Sequence, residues 1–180
     1  MSDRKTLLRR LTLIAALSAL GAAVGALERP LMALIPLPLP GFKLGLANLT
    51  VLFTAYRLRR RDAFLVMGIR VALVNLAFGT PVSLALALSG GLCSAAVTAA
   101  FCRSRTLSPV GVSCAASAAH MVGQIAMAAV ILSTPALFLS YLPWLLLLSI
   151  PTGLLNGALS IPLIRRVPAR LTAFPVAPKP

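Results

Sequence analysis

Long apolar stretches, separated by short basic or proline-bearing segments, run through the chain from end to end. A helix needs about 20 apolar residues to cross a bilayer. Six stretches answer to that pattern: Leu7–Leu27, Leu44–Leu58, Ala63–Gly79, Val82–Phe101, Val110–Leu132 and Tyr141–Ile164. The second is short and is expected to begin in the outer interface. Between the first two lies an irregular segment, Arg29–Phe42, with Pro30 and then Pro36, Pro38 and Pro40 at alternate positions. That spacing forbids a regular helix. Because the segment is nonetheless apolar, it is expected in the interface or folded over the outer mouth, as a plain connector or as a lid. Pro168, Pro175, Pro178 and Pro180 mark residues 168–180 as an extended, flexible tail. The pattern predicts an all-α polytopic membrane protein: one domain over residues 1–167, built as a bundle of six transmembrane helices.

Charge adds orientation. Arg4, Lys5, Arg9 and Arg10 precede the first stretch, and Arg57, Arg59, Arg60 and Arg61 separate the second from the third. Arg103 and Arg105 separate the fourth from the fifth, and Arg165, Arg166, Arg170 and Lys179 follow the sixth. Lys and Arg concentrate in cytoplasmic loops, so both termini are expected in the cytoplasm and the protein in the cell membrane, with the tail on the same side. The alternation holds for six helices and fails for five or seven. A cleaved signal peptide would explain the basic start and the small residues Ala22–Ala26, but the apolar run exceeds the usual 7–15 residues or so, and cleavage would leave five helices.

Composition excludes several functions. Of 180 residues, 59% are hydrophobic and 11% charged, with 17 Lys or Arg against 3 Asp or Glu; mean hydropathy is +0.95. Soluble domains carry roughly 25% charged residues. The acids, Asp3, Glu28 and Asp62, are widely separated, so no carboxylate cluster exists to hold magnesium for prenyl or phosphoryl transfer. No Gly-rich nucleotide loop is present, and the bases sit between apolar runs rather than on one soluble face, which argues against nucleic acid. Cys93, Cys102 and Cys114 lie in apolar surroundings without a C-x-x-C pair and are expected to be small buried hydrophobes. No catalytic residue, metal or cofactor is expected.

The chemistry that remains lies within the apolar stretches. Arg70 stands halfway along the third, a costly position for a charge, with Asn75 five residues on. Ser113, Ser117, His120 and Gln124 follow helical spacing on one face of the fifth stretch. Lys43 and Asn48 open the second, and Asn156 follows Pro151-Thr152-Gly153 in the sixth, where a kink frees polar groups. Phe138, Tyr141 and Trp144 are placed as an interfacial aromatic belt. In the first stretch Ala15, Ala19 and Ala23 form one small-residue row, Ser18, Ala22 and Ala26 another, and Gly21 and Gly25 a G-x-x-x-G. Such rows let helices approach closely, either within the bundle or against a second membrane subunit.

These residues carry a resemblance. Pro40-Gly41-Phe42-Lys43-Leu44-Gly45-Leu46-Ala47-Asn48 resembles a P-G-x-K-L-G-L-A-N signature of bacterial membrane proteins called Gx transporters, also named heptaprenyl diphosphate synthase component I. Arg70 with Phe78-Gly79-Thr80, Ser89-Gly90-Gly91-Leu92, Ser108-Pro109-Val110-Gly111-Val112-Ser113 and Tyr141-Leu142-Pro143 fit the same family, as does Ala119-His120-Met121-Val122-Gly123-Gln124, which places Met121 where the family has Asn. The likeness spans roughly residues 10–165. The family is similar to the substrate-binding S components of energy-coupling-factor transporters. That implies capture of a small, anionic or strongly hydrogen-bonding solute from outside, with Lys43 and Asn48 at the mouth and Arg70, Asn75, His120, Gln124 and Asn156 lining the interior. It further implies a transmembrane coupling subunit with ATPases, docked on Ala15, Ala19 and Ala23. The other family name implies a non-catalytic membrane subunit in isoprenoid synthesis.

Overall fold

A computed structural model describes residues 2–33 and 45–167. Among them every regular element is helical: α1 (Ser2–Ala33), α2 (Asn48–Arg57), α3 (Arg60–Phe78), α4 (Pro81–Phe101), α5 (Pro109–Ile131) and α6 (Pro135–Arg166). Lys43, most of the irregular proline segment and the tail lie outside the described residues. Local chemistry sets the helix starts. Pro81, Pro109 and Pro135 occupy the first helical position, where a missing N–H costs nothing. The hydroxyl of Thr80 accepts from the Ser83 N–H at 3.1 Å, and that of Ser108 accepts from the Gly111 N–H at 3.1 Å.

Among the described residues four helices are long and apolar enough to cross a membrane: α1 over Arg4–Glu28, α4, α5 and α6. The other two fall outside that description for physical reasons. The second stretch forms only 10 helical residues, about 15 Å of helix against a hydrocarbon core of about 30 Å. The third forms 19 residues but carries Arg60, Arg61, Asp62 and Arg70. The sixth helix runs longer than its apolar pattern, from Pro135 to Arg166, and keeps Pro143, Pro151 and Pro162 inside it as the pattern does.

Packing is compatible with a bundle whose outer face meets lipid. Leu20, Leu76, Leu139, Trp144 and Leu147 point outward, while Ser18, Thr54, Ser94, Thr98, Thr152 and Ser160 are buried. Most buried hydroxyls are tied within their own helix, as Ser18 to the Ile14 carbonyl at 2.7 Å and Thr54 to the Thr50 carbonyl at 2.6 Å. The main apolar core joins Ile14 of α1, Val51 and Ala55 of α2, Leu58 just past its end, Val66 and Met67 of α3, and Ala95 of α4. A second unites Met121, Ile125 and Leu145 of α5 and α6. The cysteines divide: Cys93 is exposed, Cys114 half-buried and Cys102 buried, its thiol pushed up by burial.

Glycines set the helix separations. A Cβ on Gly90 would lie 2.9 Å from the His120 carbonyl oxygen, and one on Gly91 would lie 2.7 Å from Met67 Sδ. Thus α4 touches α5 on one side and α3 on the other through adjacent glycines. Gly153 and Gly157 of α6 lie against the backbone of Cys114 and Val110 of α5, as antiparallel neighbours must. Gly68 is different, because nothing lies within 4 Å of its Cβ position. Glycine inside a helix costs roughly 0.5–1 kcal/mol relative to alanine. Gly68→Ala is therefore expected to raise the melting temperature by about 1–4 °C, read by thermal unfolding in detergent.

Candidate functional site

The entry to α2 organises a buried polar cluster. Gly45 has φ +69°, a left-handed conformation that glycine adopts without strain. Its carbonyl accepts from the Asn48 N–H at 2.8 Å, turning the chain into α2. Its own N–H donates to Glu28 Oε1 at 2.5 Å, fastening this turn to the end of α1. Any side chain added at Gly45 would come within 3.5 Å of Asn48 Nδ2 and 3.8 Å of Asn156 Nδ2. The glycine thus brings the two amides towards one point.

Arg70 approaches from α3. Its Nη2 donates to Asn48 Oδ1 at 3.0 Å. Its aliphatic stem lies along α1, where a Cβ on Gly21 would fall 2.8 Å from Arg70 Cδ. Arg70 and Glu28 are both buried. Arg70 Nε is buried and has no hydrogen-bond partner. A buried unsatisfied donor costs about 1–3 kcal/mol, and more on a charged group.

Beyond Asn48 lies a small cavity between α2, α4, α5 and α6. Asn48, Ser94, Thr98, Ser113, Ser117 and Asn156 supply its polar wall, with Leu52 and Ala116 between them. Its volume is about 10 Å³, near the lower limit of about 10–15 Å³ for one water. Asn156 Nδ2 donates to the Thr152 carbonyl at 3.0 Å, which holds its amide against the helix wall. Ser94 with Thr98, and Ser113 with Ser117, stand one turn apart and face the cavity from α4 and α5.

The sequence-derived candidates divide into groups. Asn48, Arg70 and Asn156 converge here. Asn75 sits at the α3–α4 turn instead: its Nδ2 donates to the Val71 carbonyl at 2.9 Å and its Oδ1 accepts from the Ser83 hydroxyl at 2.6 Å. His120 packs on Gly90, at the α4–α5 crossing rather than on the cavity wall. Gln124 lies half-buried one turn further along α5. At that crossing the Ser89 hydroxyl donates to the Gly123 carbonyl. The expected stripe on α5 is thus split, Ser113 and Ser117 facing the cavity and His120 facing α4. Met121 fills the second apolar core. Ala15, Ala19 and Ala23 are all exposed, whereas Ser18 and Gly21 are buried.

Three participants were not singled out from sequence. Ser94 and Thr98 could have been found as an i, i+4 polar pair within an otherwise apolar helix. Gly45 was visible only as part of a motif. No group of three or more His, Cys, Asp or Glu able to hold a metal ion occurs among the described residues. The arrangement is suited to binding: it offers a buried cation, two amides and four hydroxyls, and among the described residues of the site neither a nucleophile paired with a base nor a carboxylate pair.

Searches of curated proteins and of solved structures give no match. The model of one family, described as heptaprenyl diphosphate synthase component I, matches residues 17–163, a span that holds Glu28, Gly45, Asn48, Arg70 and Asn156 together. By that match over most of its length, the chain belongs to the heptaprenyl diphosphate synthase component I family.

Proposed function

We propose that this chain is a non-enzymatic membrane protein that captures a small anionic or strongly hydrogen-bonding solute at the Asn48–Arg70–Asn156 cluster. One observation carries the reading: Arg70 is buried in the bundle with Nε unsatisfied and Nη2 on a residue of the cavity wall. An oxyanion there would satisfy the free edge of the guanidinium in a fork that only arginine provides. The cavity admits no more than a water in this state, so binding requires the Gly45 turn to move away from Asn156. In this reading all six helices lie in the bilayer, α2 as a half-length helix, and both termini face the cytoplasm with the basic corners. Energy would come from a membrane partner with ATPases, as in S components. The exposed Ala15, Ala19 and Ala23 would form the docking row, since the Gly21 side of α1 is already spent on α2 and α3.

Native mass spectrometry of the detergent-purified chain tests this. A bound small molecule is expected on the wild type, with occupancy reduced at least tenfold in Arg70→Gln and severalfold in Asn48→Ala. A bare wild-type chain, or equal occupancy in Arg70→Gln, overturns the reading. The family's description favours a second one, a non-catalytic membrane subunit associated with heptaprenyl diphosphate synthesis. That reading expects a co-purifying soluble synthase and no bound solute.

A further inference from the structure

The far end of α2 carries a second buried arginine. Arg57 lies about 14 Å along the helix from Asn48, at 1.5 Å per residue, and closes the last turn of α2. Its relative exposure is 4%, and both Nε and Nη2 are buried without a hydrogen-bond partner. Around it the α2–α3 corner presents Arg59, Arg60 and Arg61, all exposed. Arg60 and the exposed Arg103 both act electrostatically on Cys102 at the end of α4. The one acid of this corner is already engaged: both carboxylate oxygens of Asp62 accept from Arg10, and Oδ2 also accepts from the Arg59 N–H at 3.2 Å.

An orientation signal explains the exposed arginines but not the buried one. Positive residues direct topology from the surface and need no desolvation. Burying a guanidinium edge without a partner is costly and would be relieved by an anion that brings its own oxygens. Basic pockets between membrane helices at this level take lipid phosphates, and a phosphate's paired oxygens match the Nε–Nη2 edge of arginine. We infer that the α2–α3 corner is a phosphate-binding site, in which Arg57 receives the oxyanion of a phospholipid headgroup or of a soluble phosphate compound and Arg60 and Arg103 provide the surrounding field. This site is separate from the Asn48–Arg70 cluster and stands whether or not that cluster binds a solute.

The test uses the full chain in neutral detergent, incubated in parallel with phosphatidylglycerol, phosphatidylcholine and inorganic diphosphate, and read by native mass spectrometry and by melting temperature. Retention of phosphatidylglycerol over phosphatidylcholine, reduced at least fivefold in Arg57→Gln, supports the proposal with a lipid as the source. Retention of diphosphate with the same dependence supports it with a soluble source. Arg57→Lys keeps the charge but loses the fork, and is expected to bind at least threefold more weakly while folding normally. It decides the matter if Arg57→Gln does not fold. Equal retention by wild type and Arg57→Lys, or no retention and no thermal stabilisation by any probe, overturns it.

Discussion

Gly153→Ala is expected to lower the melting temperature by about 2–12 °C, and Gly153→Val to prevent stable folding. A methyl at Gly153 would lie 2.5 Å from Cys114 Cα and 3.0 Å from Cys114 N. These are backbone atoms, so no rotamer change relieves the clash, and α5 must move away from α6. Overpacking of this kind costs typically 1–3 kcal/mol and occasionally more. In lipid no hydrophobic drive compensates for the lost close approach. Gly157→Ala is expected to behave alike, since its methyl would meet Val110 Cα at 2.6 Å. Gly111→Ala is the control, with its nearest contact at 3.4 Å on a flexible Leu107 side chain. Thermal unfolding of the three variants in one detergent checks the order; a Gly153→Ala protein as stable as Gly111→Ala would contradict the packing described.

The second large effect concerns the tie between α1 and α3. Arg10 Nε donates to Asp62 Oδ2 at 3.0 Å and to Oδ1 at 3.2 Å, while Nη2 also donates to Oδ1. The Arg10 side chain is 20% exposed and that of Asp62 is 0% exposed. This asymmetry ranks the two substitutions. Arg10→Gln strands a fully buried carboxylate, whereas Asp62→Asn leaves a guanidinium that can turn to water and keeps an oxygen for the Arg59 N–H. Breaking a buried pair costs about 3–5 kcal/mol. The partial exposure of Arg10 reduces this to roughly 2–4 kcal/mol for Arg10→Gln and 1–2 kcal/mol for Asp62→Asn. Replacing both partners by apolar residues of similar volume, Arg10→Met with Asp62→Leu, is expected to recover most of the loss. Denaturant or thermal unfolding of the cycle measures it, and the ranking fails if Asp62→Asn is the costlier single change.

Helix positions were readable where apolar length and a terminal signal agree. Expected Val82–Phe101 differs from α4 by one residue at its start, and Val110–Leu132 differs from α5 by one residue at each end; the starts fall where Thr80-Pro81 and Ser108-Pro109 are capping pairs. Hydropathy misjudged α2, whose first residues form the Gly45 turn, and the start of α6, which lies at Pro135, six residues before the expected Tyr141. Arg70 and Asn156 were readable as buried polar residues because an apolar stretch offers them nothing else. Their convergence on Asn48 was not, since it depends on Gly45 and on which face of α6 turns inward. Asn75 looked like a lining residue because it shares a helix with Arg70, but its nearer partner is Ser83 across a tight turn. The Arg10–Asp62 pair was invisible: fifty-two positions separate its members, and both seemed ordinary members of a basic flank.

That separation also bears on how the chain is made. Synthesis proceeds at roughly 5–20 residues per second, so about 3–10 s pass between the appearance of Arg10 and that of Asp62. Throughout that interval α1 has emerged with a cation near its start and no acid to meet it. Its buried neighbours on α2 and α3 are not yet made. Arg10, which can turn to water, needs no partner during that time, and its pair with Asp62 forms only once the first turn of α3 has been made.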